Sequence, residues 1–332
     1  MIKSNLLTIG IPTYNRRKLI LNCLDHLYEK KIYLKAKILV IDNASEDQSY
    51  EVIHKKYSHV FDIRKNKSNI GFAGNTVELF KTCSTEYLLW LPDEDNIIEE
   101  NINKLIEILR SNSYFFLCPQ YYLDDNKSKL YRGNKRMKTV SYDLWNAASH
   151  LPGLIFNIPK TKKIIDSFHI LKKKFSTAAK CNPQLFILLD LLIQDNKKCV
   201  YLDFPICSPK FFLDNSRGAD FIETPYNGLI SPEDYYLNGG IILRWVLHKE
   251  FVDYLTDLKN NNSNHPTIKK LLYYQKKRIY DVIKNAIELE RPDILLDFNK
   301  ELYKNIIFMP LKMMYYLLTK PVIFLKKIYK YL

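Results

Sequence analysis

Short apolar runs alternate with stretches of helical periodicity through about the first 120 residues, and this alternation constrains the fold more than any other feature of the chain. Leu6–Ile11, Lys37–Ile41, Phe61–Arg64, Tyr87–Leu91 and Tyr114–Cys118 read as strands. Lys18–Lys30, Gln48–Tyr57, Gly74–Cys83 and Asn101–Ser111 read as the helices between them. Strands joined by crossover helices run parallel, and a sheet covered by helices on both faces needs strands that are apolar throughout. The expected fold class is therefore α/β, a Rossmann-like and mainly parallel sheet flanked by helices. In such sheets ligands sit beyond the carboxyl ends of the strands, so the residues just after each strand carry the functional information.

The middle of the chain is less regular. Ser141 can cap a helix to about Ser149, Pro152-Gly153 forms a turn and Leu154–Asn157 a strand. Pro159 and Pro183 stand at helix starts, the second helix running through Ile193, and Cys199–Asp203 is a further strand. A stretch rich in Pro, Asn, Ser and Gly from Pro205 to Gly228 marks the expected boundary between a main domain, 1–228, and a helical region, 229–332. That region is broken at His265-Pro266, Arg291-Pro292, Pro310 and Pro321. Its last part, 302–332, carries six Lys and no Asp or Glu among many Tyr, Phe, Leu and Ile. Lysines and prolines interrupt each apolar run before the roughly 18 residues a membrane-spanning helix needs. The segment fits either a helix packed on the main domain or an interfacial amphipathic segment on an anionic membrane.

Composition narrows the partners. An excess of 50 Lys and Arg over 36 Asp and Glu attracts anions, yet the lysines are dispersed and form no nucleic-acid motif, so no nucleic-acid partner is expected. The six cysteines lie far apart without zinc spacing and read as reduced core residues. The first residues lead from a short apolar run into Pro and polar residues, without a signal-peptide core, and the expected location is cytoplasmic, peripheral to the membrane at most.

Four loops at strand ends hold the candidate site. Pro12-Thr13-Tyr14-Asn15-Arg16 offers backbone polar groups, a ring able to stack on a base, and an Arg near a helix start; an ordinary βα loop would look the same. In Ile41-Asp42-Asn43-Ala44-Ser45, the carboxylate can accept from a base or ribose, with Asn43 or Ser45 capping the next helix; alternatively Asp42 belongs to the capping turn itself. Asn69-Ile70-Gly71-Phe72-Ala73-Gly74-Asn75 holds two of the chain's nine glycines, three apart, which permits close approach to a ligand or merely a flexible loop. Pro92-Asp93-Glu94-Asp95 delivers three adjacent carboxylates, whose repulsion is costly unless a cation or a hydroxyl-rich ligand compensates. Mg²⁺ or Mn²⁺ is held by such hard oxygens together with substrate phosphates.

In this order and spacing, P-T-Y-N, I-D-N-A-S, N-x-G-x-A-G-N and L-P-D-E-D resemble glycosyltransferase family 2 of the GT-A fold, over about Leu6–Asp95 and more weakly to about Leu213. The resemblance implies inverting transfer of a sugar from a nucleotide diphosphate sugar, UDP-linked, to a glycan or lipid-linked acceptor in surface polysaccharide biosynthesis. It places Pro12, Thr13 and Tyr14, with Asn15 and Arg16 beside them, at the base pocket and pairs Asp42 with a pyrimidine. It assigns Asn69, Gly71 and Asn75 to the nucleotide pocket, Glu94 or Asp93 to the ribose, and Asp93 and Asp95 to the metal, Asp95 as principal ligand. The turn Pro152-Gly153 with Leu154-Ile155-Phe156 is similar to the family's segment beneath the acceptor site.

The acceptor hydroxyl must lose a proton, normally to a carboxylate. Family members often carry that base where this chain reads Asn182-Pro183-Gln184-Leu185. The remaining candidates are Asp214, in a loop able to close over the site, and Asp190, later on the same helix. Trp145, Tyr121 and Tyr122 could stack on sugars or simply fill the core. Two other readings share the pocket. Nucleotidyl transfer would prefer a Gly-rich phosphate loop, which the turn at Pro12–Arg16 lacks, and a binding protein without turnover would explain the missing carboxylate at Gln184.

Overall fold

The computed structural model describes residues 5–122, 130–132, 140–209, 222–224, 228–230, 239–261 and 265–288. It divides into two compact units, Met1–Asp220 with Asn262–Leu271, and Phe221–Asn261 with Leu272–Leu332. Asp214 and the segment 302–332 lie outside the described residues.

The first unit is built on one eight-stranded sheet and a separate two-stranded one. Its strands are β1 (Leu7–Thr13), β2 (Lys37–Asp42), β3 (Asp62–Lys65) and β4 (Tyr87–Trp90), followed by the short β5 (Asp95–Ile97). Next come β6 (Phe116–Tyr122), β7 (Leu130–Arg132), β8 (Ile155–Asn157), β9 (Cys199–Pro205) and β10 (Cys207–Pro209). The order across the sheet is β3-β2-β1-β4-β8-β6-β7, with β9 pairing to β6. β1, β2, β3 and β4 are parallel, β8 runs antiparallel between β4 and β6, and β6 and β9 are parallel again. The expected mixed, mainly parallel sheet is thus what forms. In register, Thr13 stands opposite Asp42, so two candidate residues finish neighbouring strands side by side.

Helices α1 (Arg17–Glu29), α2 (Ser49–Tyr57), α3 (Gly71–Thr82) and α4 (Glu99–Ser111) are the crossovers. α1 buries Leu19, Ile20, Cys23, Leu24 and Leu27, the three-and-four spacing of one apolar stripe, against Leu7, Ile9, Ile11 and Val40. Strands buried on both faces explain the unbroken apolar runs of β1 and β4. α3 begins at Gly71, three residues before the expected start, and Gly71 takes a φ of +76° that few other residues tolerate.

The later helices of this unit are α5 (Val140–Ala147), α6 (Ile158–Asp166), α7 (Phe168–Lys174), α8 (Ser176–Cys181) and α9 (Pro183–Asp195). α6 and α9 open on prolines as expected, where the missing N–H costs nothing. In the second unit, β11 (Ile222–Thr224) and β12 (Gly228–Ile230) pair antiparallel, and α10 (Gly239–Asn261) precedes α11 (Pro266–Glu288), whose first turns belong to the first unit. Among the described residues, no helix is long and apolar enough to cross a membrane. All six cysteines are free thiols, five of them buried.

Candidate functional site

The carboxyl ends of β1 and β2 are laced together. Asn15 takes a left-handed conformation, φ +52°, its N–H donates to Ser45 Oγ at 2.9 Å, and its side-chain oxygen accepts from Glu46 N–H at 2.8 Å. Ala44, φ +65°, is likewise left-handed, a strain of roughly 1–2 kcal/mol that surrounding bonds must hold. Asp42 is wholly buried; its Oδ1 accepts from Ser45 N–H at 2.8 Å, while its Oδ2 has no donor. One oxygen thus makes the turn-forming bond, and the other is a bare acceptor. The expected capping of α2 by Asn43 or Ser45 does not occur. The N-cap is Gln48, which makes no side-chain cap bond; Asp47, one residue earlier, accepts from Ser49 N–H at 3.0 Å.

Asn43 is committed to a lattice of amides. It donates to Asn69 Oδ1 at 2.7 Å, and its own oxygen accepts from Asn66 Nδ2 at 3.0 Å and Ile70 N–H at 3.1 Å. Asn66 also donates to Asn75 Oδ1 at 3.0 Å, and Asn75 donates to the Ile41 carbonyl at 3.1 Å. Asn69 Oδ1 further accepts from Gly71 N–H at 2.8 Å. Asn69 and Asn75 are linked through Asn43 and Asn66, the second of which the motif reading passed over. The signal available was the density of Asn between β3 and α3, since an amide both donates and accepts and can bridge irregular backbone. Asn69 and Gly71 are exposed at the loop's surface, and Phe72, 40% exposed, meets Trp90 edge-on at 6.1 Å.

The three acids after β4 have different partners. Asp93 is buried, its Oδ1 accepting from Arg16 Nη1 at 2.9 Å and its Oδ2 from Thr13 Oγ1 at 2.7 Å. The same Arg16 nitrogen reaches Glu94 Oε2 at 2.8 Å. The cation that offsets the repulsion is thus an arginine of the chain itself, and each Asp93 oxygen accepts one bond while keeping a further lone pair. Burial still lifts the Asp93 carboxyl above its ordinary range, with Arg16 and Thr13 pulling it back. Burial works against the Arg16 charge, but Asp93 and Glu94 outweigh it and hold the guanidinium above its usual pKa.

Asp95 differs from its neighbours. It is 1% exposed, and its Oδ2 accepts from the Tyr121 hydroxyl at 3.0 Å. Burial above all, then the charges of Glu94 and Asp93, push its carboxyl up to about 7, against the neutral donors Tyr121 and Cys207. β5 and β10 fix it in place, Asp95 standing opposite Pro209 and Ile97 opposite Cys207. Among the described residues, no group of three His, Cys, Asp or Glu side chains forms a closed metal cage. Tyr121, read from sequence as a stacking ring or core residue, is a hydrogen-bond donor to the site.

At the start of α9, Gln184 is 2% exposed, and its amide nitrogen donates to the Ala148 and Ser149 carbonyls at 3.1 and 3.2 Å; its Oε1 has no donor. It ties the start of α9 to the end of α5. Asp190 accepts from Gln194 at 2.8 Å, with its carboxyl raised by burial and lowered by Gln194 and Lys163. These partners lie on α9 and α6. Arg132, also unforeseen, is fully buried and bonds the carbonyls of Pro119, His150 and Pro152.

A sheet of this order with paired acids following β4 is that of GT-A glycosyltransferases. The profile described as glycosyl transferase family 2 matches residues 8–176, half of the chain, and the chain belongs to that family. An uncharacterised glycosyltransferase of Mycoplasma genitalium is 28% identical over 130 residues, 37% of this chain and 43% of the relative. The UDP-Glc:α-D-GlcNAc-diphosphoundecaprenol β-1,3-glucosyltransferase of Escherichia coli is 26% identical over 31% of this chain and 43% of its own length. The chain thus spans less than half the length of these curated relatives. Among solved structures, S. aureus TarS residues 1–349 in complex with UDP-GlcNAc superposes with a TM-score of 0.50 at 15% identity, over 86% of this chain and 92% of that one, which is a likeness of fold.

Proposed function

We propose that this glycosyltransferase moves a sugar from a uridine diphosphate sugar to a hydroxyl of a glycan or lipid-linked acceptor in surface polysaccharide assembly, with inversion. The observation that carries the reading is Asp42 Oδ2, a wholly buried carboxylate oxygen without a donor, at the strand edge shared with Thr13. A buried acceptor left bare is costly, and the N3–H of uracil is a donor of matching polarity. Pro12, Thr13 and Tyr14 would line the base, and the Asn43, Asn66, Asn69 and Asn75 lattice would hold the loop around the nucleotide. The names of the relatives support the donor and acceptor classes, since the Escherichia coli protein is a UDP-Glc transferase to a lipid diphosphate.

In this reading Arg16 and Glu94, half-exposed beside the buried Asp93, face the ribose and diphosphate. Asp95 fits the hard-oxygen end of a divalent cation site: a buried carboxylate beside two further acids, touched by neutral donors. One such carboxylate completed by substrate phosphates suits Mn²⁺ or Mg²⁺, which when bound stabilises the leaving diphosphate as a Lewis acid. The acceptor oxygen attacks the anomeric carbon in line as the bond to the diphosphate breaks, and the nucleoside diphosphate leaves with the electron pair. The hydroxyl proton goes to a base, for which Asp214 is the candidate. Gln184 cannot take a proton, which favours a second reading: nucleotide-sugar binding without turnover.

Asp42→Asn tests the reading, because it puts an N–H where uracil also presents one. Wild-type protein should be stabilised more by UDP than by CDP in a thermal-shift series, and the variant should lose UDP affinity at least about tenfold while its relative preference moves toward CDP, whose N3 accepts. Unaltered UDP binding by the variant removes Asp42 from the base. Release of UDP from UDP-sugars on adding a glycan acceptor separates transfer from retention.

A further inference from the structure

β6 closes on Tyr121, 2% exposed, in a position where the β6–β7 register shifts between Tyr121 and Tyr122. Such an irregularity re-aims a side chain that regular pleating would place elsewhere. Its ring packs near the His150 ring, centroids 4.4 Å apart, and near the Arg132 guanidinium, 5.6 Å from the ring centre. Arg132 is itself immobilised. Its Nε donates to the Pro119 carbonyl at 2.8 Å, Nη1 to His150 at 2.7 Å and Nη2 to Pro152 at 2.6 Å. One buried cation therefore ties β6 to the turn that leads into β8, and Tyr121 is held within that tie. The space is tight: a Cβ at Gly153 would lie 3.4 Å from Arg132 Nη2 and 2.9 Å from Cys207 Sγ.

The phenol so held has its hydroxyl 3.0 Å from Asp95 Oδ2. Asp95 is fixed from the other side by the pairing of β5 with β10. A carboxylate with a rigid donor on one oxygen has its rotation about χ2 settled, and the second oxygen is thereby oriented as well. Ligand carboxylates and imidazoles are commonly oriented by outer partners of this kind, whose loss weakens metal binding.

We infer that Tyr121 is a positioning residue for the transfer reaction: its hydrogen bond to Asp95 sets the orientation in which that carboxylate meets the divalent cation of the donor complex, and Arg132 clamps the phenol there. This rests on the reading of Asp95 as the cation-side carboxylate. Tyr121 touches neither donor nor acceptor in this account.

The test is Tyr121→Phe in the full chain, with UDP binding measured by calorimetry over a Mn²⁺ series and in EDTA, beside Asp95→Asn. The Phe variant should need roughly ten to a hundred times more Mn²⁺ for the metal-dependent increase in UDP affinity, with UDP affinity in EDTA unchanged. A merely structural role would weaken both together, and that result overturns the inference. So does wild-type Mn²⁺ dependence in Tyr121→Phe when Asp95→Asn has lost it. If Asp95→Asn keeps wild-type Mn²⁺ dependence, the assignment of Asp95 falls, and the role of Tyr121 with it. Should the Phe variant not fold, difluorotyrosine at position 121 preserves the ring and alters only the hydroxyl's donor strength; unchanged Mn²⁺ affinity there counts equally against the proposal.

Discussion

Replacing Asp95 with Asn should make the ligand-free protein more stable, and by an amount that depends on pH. Burial moves the Asp95 carboxyl from an ordinary 3.8 to about 7 in the folded chain. The folded form therefore holds a proton that the unfolded form releases. The stability linked to that proton is fully present below the unfolded pKa, is lost as pH rises through 7, and is absent above it. At about 1.4 kcal/mol per pH unit, holding the ionised carboxylate costs the fold on the order of 4 kcal/mol above neutral pH. Asn mimics the protonated acid at every pH and can still accept from Tyr121. Its advantage over wild type should be near zero at pH 4 and reach that ceiling by pH 8, equivalent to roughly 5–10 °C in Tm. The assay is thermal unfolding of both proteins in EDTA, without nucleotide, from pH 4 to 8. A Tm difference that stays flat across that range refutes the reasoning. With UDP and Mn²⁺ present the order should reverse, since the ionised acid then gains a cation that Asn cannot hold.

Arg16→Ala removes the cation from two acids, one of them buried, and should destabilise the fold by about 3–5 kcal/mol at pH 8; unfolding of the Arg16→Ala/Asp93→Asn double variant should recover most of that loss, and no recovery would show that the ion pair is not its source. Asn66→Ala breaks two bonds of 3.0 Å and leaves Asn75 Oδ1 short of a donor, at about 1–2 kcal/mol. The donor KM should rise with kcat at saturating donor nearly unchanged, and a fall confined to kcat would contradict a role in the nucleotide loop.

The sequence was most legible where structure is local. β1, β2, β4 and α1 fall within two residues of the bounds expected from periodicity, because a strand buried on both faces must be apolar along its length and an amphipathic helix must repeat every three or four residues. β5, β7 and β10 escaped notice. Each has three residues, and none carries a pattern of its own; β5 exists because Cys207–Pro209, some hundred residues away, lies alongside it. That pairing is also what fixes Asp95.

The residues at the strand ends could be listed from sequence because topology places strand termini at one edge whatever the details of packing. What each side chain does there was decided by tertiary contacts. The acids after β4 look equivalent in the chain, yet Arg16 pairs with two of them and Tyr121 donates to the third, whose carboxyl burial lifts to about 7. Asp42 divides its two oxygens between a turn and an open acceptor. Sequence patterns fix which residues reach an edge, since backbone periodicity is a local property; charge, hydrogen-bond saturation and burial depend on neighbours distant in the chain, and only the folded arrangement supplies those.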